Sequence, residues 1–201
     1  MPEVKKPLFV GLTGGIAAGK STVLGMLEEA GVPVLSADGA VHRIYLDPEV
    51  IELVRERLGD ETIVDGEVNR EAVAEAVFNE PEARSWLEQL IWPRVGQKIF
   101  EFKAEHEAAS PVPPVIVVEV PLLFEAGMDQ AFDKTVAVIA DRGTRVDRAE
   151  ARGDVEIEGR EERQMPIEEK AERADFVVEN NGSLDDLRAS VDRLIAELTA
   201  A

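Results

Sequence analysis

The first residues that could do chemistry form a glycine-rich loop near the amino terminus. The apolar run Leu8–Thr13 leads into the letters GGIAAGKS, in which four residues separate Gly14 from Gly19, and Lys20 and Ser21 follow. Glycine reaches backbone angles that turn successive N–H groups inward around phosphate oxygens, and the amino terminus of the next helix adds a favourable dipole. The pattern therefore predicts a nucleotide phosphate site rather than a plain glycine-rich turn with an exposed lysine.

Each part of this loop has an expected task. Lys20 is expected to reach the β and γ phosphates, and the Ser21 hydroxyl is expected to bind Mg²⁺. The residues predicted to bind the nucleotide are Gly15, Ile16, Ala17, Ala18, Gly19, Lys20, Ser21 and Thr22. The loop alone does not separate a kinase from a GTPase, an ATPase motor or a nucleotide-binding regulator.

Two further features favour a small-molecule kinase. No Asn-Lys-x-Asp string is present to recognise guanine, and 201 residues are too few for the extra sheet and sensor elements of a motor. Asp38 follows the predicted second strand, Val32–Leu35, at the sheet edge where ligands bind in open α/β folds. A carboxylate there can accept the proton of an attacking hydroxyl, a role worth roughly 10²- to 10⁴-fold in rate. On position alone, Asp38 could equally be the N-cap of a helix beginning near Gly39.

A cluster of arginines lies between the last two predicted strands. Its members are Arg142, Arg145, Arg148, Arg152, Arg160 and Arg163. Guanidinium groups that close over a γ-phosphate neutralise charge on the transferred group, and such arginines are worth roughly 10³- to 10⁵-fold in rate. Pairing with neighbouring carboxylates on an exposed helix is the alternative, and it accounts for about half of the cluster.

The elements that must position these residues follow from the apolar pattern. Predicted strands alternate with helical stretches, and they cover Leu8–Thr13, Val32–Leu35, Val115–Val118, Lys134–Ile139 and Asp175–Val178. The third and fourth strands are continuously apolar or β-branched, as in strands buried on both faces of a parallel sheet. Residues 39–109 are helical in pattern, broken at Pro48, Asp65-Gly66, Pro81 and Pro93. The sequence therefore predicts a doubly wound α/β fold with a mainly parallel five-stranded sheet and a helical insertion.

Composition narrows the choice of partners. The formal net charge is −19, which argues against the nonspecific capture of nucleic acid or of an anionic membrane surface. No early apolar run is long enough for a signal peptide or a membrane span, so we expect a cytoplasmic protein. We expect a small-molecule substrate and a monomer or weak homo-oligomer.

Short strings in a specific order extend over almost the whole chain. They are Leu12 to Ile16, Gly19 to Thr22, Ala37-Asp38, Val120 to Glu125, Arg148 and Arg152, Arg160 to Pro166, Lys170, Ala174 to Val178, and Asn180 to Gly182. Together these strings resemble the dephospho-CoA kinase family, whose members phosphorylate the ribose 3′-hydroxyl of dephospho-CoA. The resemblance implies that ATP and Mg²⁺ take part and that dephospho-CoA is the acceptor.

The resemblance also implies roles for individual residues. Asp38 corresponds to the family's catalytic carboxylate, and Lys20, Arg148 and Arg152 are implied to stabilise the transferring group. The implied acceptor pocket includes Asp38 together with Pro121, Leu122, Leu123 and Glu125.

The same resemblance divides the chain. Residues 1–38 and 110–201 are implied to form a P-loop nucleotide-binding core with an arginine-rich lid at about 142–168. Residues 39–109 are implied to form the insertion that binds dephospho-CoA.

Some positions depart from the family pattern. Ser36 stands where a second acidic residue is usual, and Trp92 precedes Pro93 where histidine is common. Glu119 directly follows a predicted strand, and there we expect a solvated side chain rather than a metal ligand. Two other functions share parts of the pattern: a kinase for another small metabolite or nucleotide, and a noncatalytic nucleotide-sensing module.

Overall fold

Five parallel strands form the central sheet of the computed structural model, which describes residues 6–78, 80–151, 153 and 164–200. The sheet consists of β1 (Leu8–Gly14), β2 (Val34–Ser36), β5 (Val115–Glu119), β6 (Lys134–Ile139) and β7 (Phe176–Glu179). Its order is β2-β5-β1-β6-β7, and every pairing in it is parallel. The predicted α/β fold and its five strands are confirmed.

Outside the central sheet, the described residues form α-helices, a small hairpin and two short 3₁₀ helices, Asp60–Thr62 and Asp129–Ala131. The helices are α1 (Lys20–Glu29), α2 (Ala37–Ile44), α3 (Pro48–Leu58), α4 (Arg70–Phe78), α5 (Pro81–Glu107), α6 (Arg142–Glu150), α7 (Ile167–Arg173) and α8 (Leu184–Ala200). The hairpin pairs β3 (Ile63–Val64) with β4 (Glu67–Val68) in antiparallel fashion. Across the described ranges, no helix is both long and apolar enough to cross a membrane.

The chain divides into two compact units. The first contains residues up to Ser36 and from Lys103 onward, and the second contains Ala37–Phe102. The sequence-based division placed the insertion at 39–109. The assignment of a nucleotide to one unit and of dephospho-CoA to the other stays a prediction.

Apolar strands and two helices build the core of the first unit. Val10 and Leu12 of β1 and Val136 and Val138 of β6 have no exposed surface, and the face they share packs against α1 and α8. Helix α8 begins with two reciprocal hydrogen bonds between Ser183 and Asp186. Ser183 Oγ accepts from the Asp186 N–H, and the Asp186 carboxylate accepts from the Ser183 N–H. This core holds the carboxyl ends of the strands in fixed register. The phosphate loop, Gly14 to Ser21, follows the carboxyl end of β1.

The second unit differs from its helical prediction in two places. The predicted turn at Asp65-Gly66 is confirmed, since both residues have positive φ angles, but the strands that it joins were not predicted. These strands are two residues long, too short to show alternation. Pro93 lies inside α5 and does not end it. Leu90 and Ile91 before the proline and Ile99 after it are buried. Packing on both sides therefore outweighs the cost of a proline in a helix interior, about 3 kcal/mol.

Candidate active site

The phosphate loop has the backbone that its glycines predict. Gly19 has a φ of 98° and lies directly before α1, and Ala17 has a φ of 56°, a left-handed conformation that is unusual for alanine. Lys20 folds back over the loop, where its Nζ donates to the carbonyls of Gly14 (3.1 Å) and Gly15 (3.0 Å). The lysine ammonium and the amino terminus of α1 thus lie at the same small loop, which is the charge arrangement an anion requires.

Close neighbours explain why the loop needs glycine. A Cβ on Gly14 would clash with the carbonyl of Val138, and a Cβ on Gly19 would clash with the side-chain amide nitrogen of Asn180. Both positions also have positive φ, so any other residue there would be strained as well as crowded. Glycine is therefore required at both positions, because neighbouring atoms already occupy the space that a side chain would take.

Arg148 approaches the loop from α6. Its Nη2 donates to Asn180 Oδ1 at 3.2 Å, and Asn180 Nδ2 donates to the carbonyl of Ala18 at 2.8 Å. Arg148 Nη1 is buried and has no hydrogen-bond partner in the part of the chain that the structure describes. Asn180 thus links Arg148 to the loop.

The other arginines have different surroundings. Arg145 is buried, and its Nε donates to the Ala140 carbonyl at 3.1 Å. Arg142 is exposed, and together with Arg145 it lines a cavity of about 250 Å³ beside Gly15. Arg152, Arg160 and Arg163 lie outside the described residues, as does most of the middle of the predicted lid.

The turn after β5 is built around the carbonyl of Pro121. This oxygen accepts from Thr13 Oγ1 at 3.1 Å and from Lys170 Nζ at 2.9 Å. Leu123 is fully buried, whereas Leu122 is 41% exposed. The predicted role of these residues in the acceptor pocket stays a prediction. The burial of Leu123 shows only that its side chain packs in the core.

Glu125 forms an ion pair with a buried lysine. Its Oε1 lies 2.9 Å from Nζ of Lys170, a lysine with no exposed surface, and also accepts from the Met165 N–H at 2.8 Å. Burial raises the pKa of the Glu125 carboxyl, but hydrogen bonds from Lys170, its own N–H and Met165 outweigh burial and hold the pKa below its ordinary value. The pair links α7, which contains Lys170, to the turn after β5, which contains Glu125.

We expect the Glu125→Gln variant to lose about 3 kcal/mol of unfolding free energy at pH 7, because it leaves the Lys170 ammonium buried without a countercharge. Urea-induced unfolding followed by circular dichroism measures the loss. A Glu125→Leu, Lys170→Met double variant removes both charges and should lose less than the single variant. Equal stability of the wild-type and Glu125→Gln proteins would contradict the expectation.

The ion pair between Glu125 and Lys170 makes the free energy of unfolding depend on pH. The folded pKa of Glu125 is lowered, so its carboxylate stabilises the fold above the unfolded pKa. This stabilisation is lost as the pH falls through the lowered folded pKa. The stability advantage of the wild type over Glu125→Gln should therefore shrink below about pH 4.

Glu119 is not solvated, so the expectation for this residue was wrong. It is 6% exposed, and its Oε2 accepts from Ser36 Oγ at 2.8 Å. The reason is its strand: β5 lies between β2 and β1, and Glu119 pairs with Ser36 on one side and Leu12 on the other. The serine that stands in place of a second acid supplies a hydroxyl donor to this carboxylate.

Asp38 belongs to the second unit. It lies in the first turn of α2, which begins at Ala37, and its side chain is exposed. The helix therefore starts one residue before Asp38, and the alternative that Asp38 is the N-cap of a helix beginning near Gly39 is wrong. Asp38 lies two residues after the end of β2 and already inside the helix, so its exposed carboxylate is not an N-cap.

Two residues of this site were absent from the predicted set. Asn180 contacts both the loop and Arg148, and Lys170 holds the Pro121 carbonyl. Both lie within strings that carried the family resemblance, but the strings gave them no task. A polar residue just after the predicted last strand, at the edge of the sheet where ligands bind, was the available signal for Asn180.

Comparisons with known proteins agree over nearly the full length. The model of the dephospho-CoA kinase family matches residues 8–186. A dephospho-CoA kinase from Thermus thermophilus is 40% identical over 200 residues, covering 98% of this chain and 95% of the relative. One from Brucella melitensis biotype 1 is 40% identical over 195 residues, covering 96% of each.

Solved structures give the same result. A crystal structure of a Thermus thermophilus protein superposes with a TM-score of 0.81 at 38% identity, covering 96% of this chain and 99% of that one. The dephospho-CoA kinase from Campylobacter jejuni superposes with a TM-score of 0.70 at 28% identity, covering 96% of this chain and 97% of that one. The chain belongs to the dephospho-CoA kinase family.

Proposed function

We propose that this protein transfers the γ-phosphoryl group of ATP to the ribose 3′-hydroxyl of dephospho-CoA, giving coenzyme A and ADP. The observation that carries the proposal is the family match over residues 8–186, which covers all of the second unit and most of the first. The phosphate loop with Lys20 folded over it supports the nucleotide half of the reaction. Family membership alone supports the acceptor half.

The nucleotide phosphates are assigned to the loop. Backbone N–H groups between Gly15 and Thr22 would surround the β and γ phosphates, with the amino terminus of α1 adding its dipole. Lys20 would exchange its two carbonyl partners for phosphate oxygens, which offer a stronger, charge-assisted hydrogen bond. Arg148 and Arg152 would neutralise the charge that spreads over the transferring group.

Mg²⁺ fits the donors at the loop. This ion usually keeps several waters and binds substrate phosphates with only one or two protein groups, so the exposed Ser21 hydroxyl is a sufficient protein ligand. Within the described ranges, no group of three or more His, Asp or Glu side chains could hold a metal by itself. When bound, the ion neutralises part of the triphosphate charge.

Asp38 is assigned to the acceptor hydroxyl. The ribose 3′-oxygen forms a bond to the γ-phosphorus, the bond from that phosphorus to the β–γ bridging oxygen breaks, and the hydroxyl proton passes to the Asp38 carboxylate. The acceptor side is completed by the residues of the turn after β5, which are Pro121, Leu122, Leu123 and Glu125. Catalysis in this scheme is mainly positioning and charge neutralisation.

A panel of acceptors tests the proposal. The purified protein is incubated with ATP, Mg²⁺ and one acceptor at a time: dephospho-CoA, nucleosides, nucleoside monophosphates or shikimate. We expect ADP and a product heavier by one phosphoryl group with dephospho-CoA. Phosphorylation of another acceptor instead would favour a different metabolite kinase, and ATP binding without any transfer would favour a nucleotide-sensing module.

A further inference from the structure

Asn180 contacts β6 through its backbone, and the phosphate loop and α6 through its side chain. It is 5% exposed, and its N–H donates to the Ile139 carbonyl at the end of β6 (2.8 Å). Its Nδ2 donates to the Ala18 carbonyl inside the phosphate loop (2.8 Å), and its Oδ1 accepts from Arg148 Nη2 on α6 (3.2 Å). Both ends of the amide are thus engaged, one by the loop and one by the arginine.

The second terminal nitrogen of Arg148 is left without an acceptor. Nη1 is buried and unpaired among the described residues, and it lies 3.9 Å from the point where a Cβ on Gly19 would stand. A buried charged donor without an acceptor is costly, and native proteins rarely keep one unless a ligand completes it. Gly19 opens the amino terminus of α1, where an anion is favoured. The missing acceptor therefore has the chemistry of a phosphate oxygen.

We propose that Asn180 is a positioning residue that presents Arg148 Nη1 to the phosphate bound in the loop. The proposal rests on the proposed function, because that phosphate belongs to ATP. The guanidinium is a rigid planar fork, so a hydrogen bond that fixes Nη2 also fixes the direction of Nη1. The bond from Asn180 to Ala18 ties this fork to the loop itself. A donor that is already in place when ATP binds needs no reorganisation during transfer.

The neutral amide suits this task better than a carboxylate does. An aspartate at position 180 would form an ion pair with Arg148 and reduce the positive charge available to the phosphate. It would also lack the N–H donor that bonds to the Ala18 carbonyl. An amide holds the arginine and the loop together while leaving the arginine's charge for the ligand.

A double-mutant cycle tests the inference. We expect Asn180→Ala to weaken the binding of ATP, measured by isothermal titration calorimetry with Mg²⁺ present, by about tenfold or more. It should also lower kcat by up to about 10²-fold through misplacement of Arg148, while the KM for dephospho-CoA stays nearly unchanged. In an Arg148→Ala background the same replacement should alter ATP affinity much less, because its main partner is already absent.

Asn69→Ala provides the matched control. Asn69 also bonds to backbone, since its Oδ1 accepts from the N–H groups of Glu71 and Ala72 at the start of α4 in the second unit. Its replacement should lower the thermal midpoint while leaving ATP affinity unchanged. The control separates a general loss of stability from a loss of positioning at the loop.

Each outcome decides the inference. Unchanged ATP affinity in Asn180→Ala would overturn it, and so would an equal loss in the two backgrounds, which would indicate a purely structural role. If Asn180→Ala does not fold, Asn180→Ser replaces it, because serine is polar but too short to reach both partners. A wild-type protein that binds ATP and does not phosphorylate dephospho-CoA would refute the proposed function alone. Failure of the wild type to bind ATP would overturn both.

Discussion

The Lys20→Ala variant is expected to lose about 10²- to 10³-fold in kcat for ATP-dependent phosphorylation of dephospho-CoA. Lys20 is the lysine of the phosphate loop, and its Nζ already lies within hydrogen-bond distance of two loop carbonyls. In the proposed reaction this ammonium moves onto the γ-phosphate and stabilises charge as it shifts toward the leaving ADP. Alanine keeps the helix but removes the charge. Initial rates at saturating concentrations of both substrates measure the loss.

Lys134→Ala is a suitable control for this result. Lys134 begins β6 at the amino-terminal edge of the parallel sheet and pairs with Asp175 at 3.1 Å. Its replacement removes the same charge from the same unit, at the edge opposite the phosphate loop, and should leave kcat within about twofold. A Lys20→Ala protein with wild-type kcat would remove the lysine from the mechanism.

Much of the fold could be predicted because its signals are local. Most residues of β5 and β6 form continuous runs of apolar or β-branched side chains, and a parallel sheet that is covered on both faces requires such runs. The hairpin at Ile63–Val68 was missed because two-residue strands carry no periodic signal. Pro93 was wrongly predicted to break α5, because propensity describes an isolated helix whereas packing decides a buried one.

In the candidate site, too, the residues that are close in sequence could be predicted and the contacts between distant residues could not. The phosphate loop was predicted because its chemistry lies within eight consecutive residues, from Gly14 to Ser21. Asn180 bonds to Ala18 across 162 residues, and Ser36 bonds to Glu119 across 83. No local spacing encodes such pairs, since they depend on which strands become neighbours in the sheet. The buried state of Glu119 was therefore visible only after the strand order β2-β5-β1 was known.

Asp38→Asn is the second replacement with a large expected effect, a loss of about 10²- to 10⁴-fold in kcat. Asparagine has nearly the same shape as aspartate and cannot accept the proton of the ribose hydroxyl. Asp38 is exposed in the first turn of α2 and does not occupy the capping position, so the fold should keep its thermal midpoint. Binding of ATP, measured by titration calorimetry, should also remain within about twofold.

Asp60→Asn removes one carboxylate from the same unit at a side chain that is 94% exposed, and it should leave kcat unchanged. Asp38→Glu keeps a carboxylate but moves it by one methylene, so we expect activity between that of Asp38→Asn and that of the wild type. If a well-folded Asp38→Asn protein turned over at the wild-type rate, the proton would have to leave by another route. The assignment of Asp38 as the base would then be wrong even though the family membership of the chain would stand.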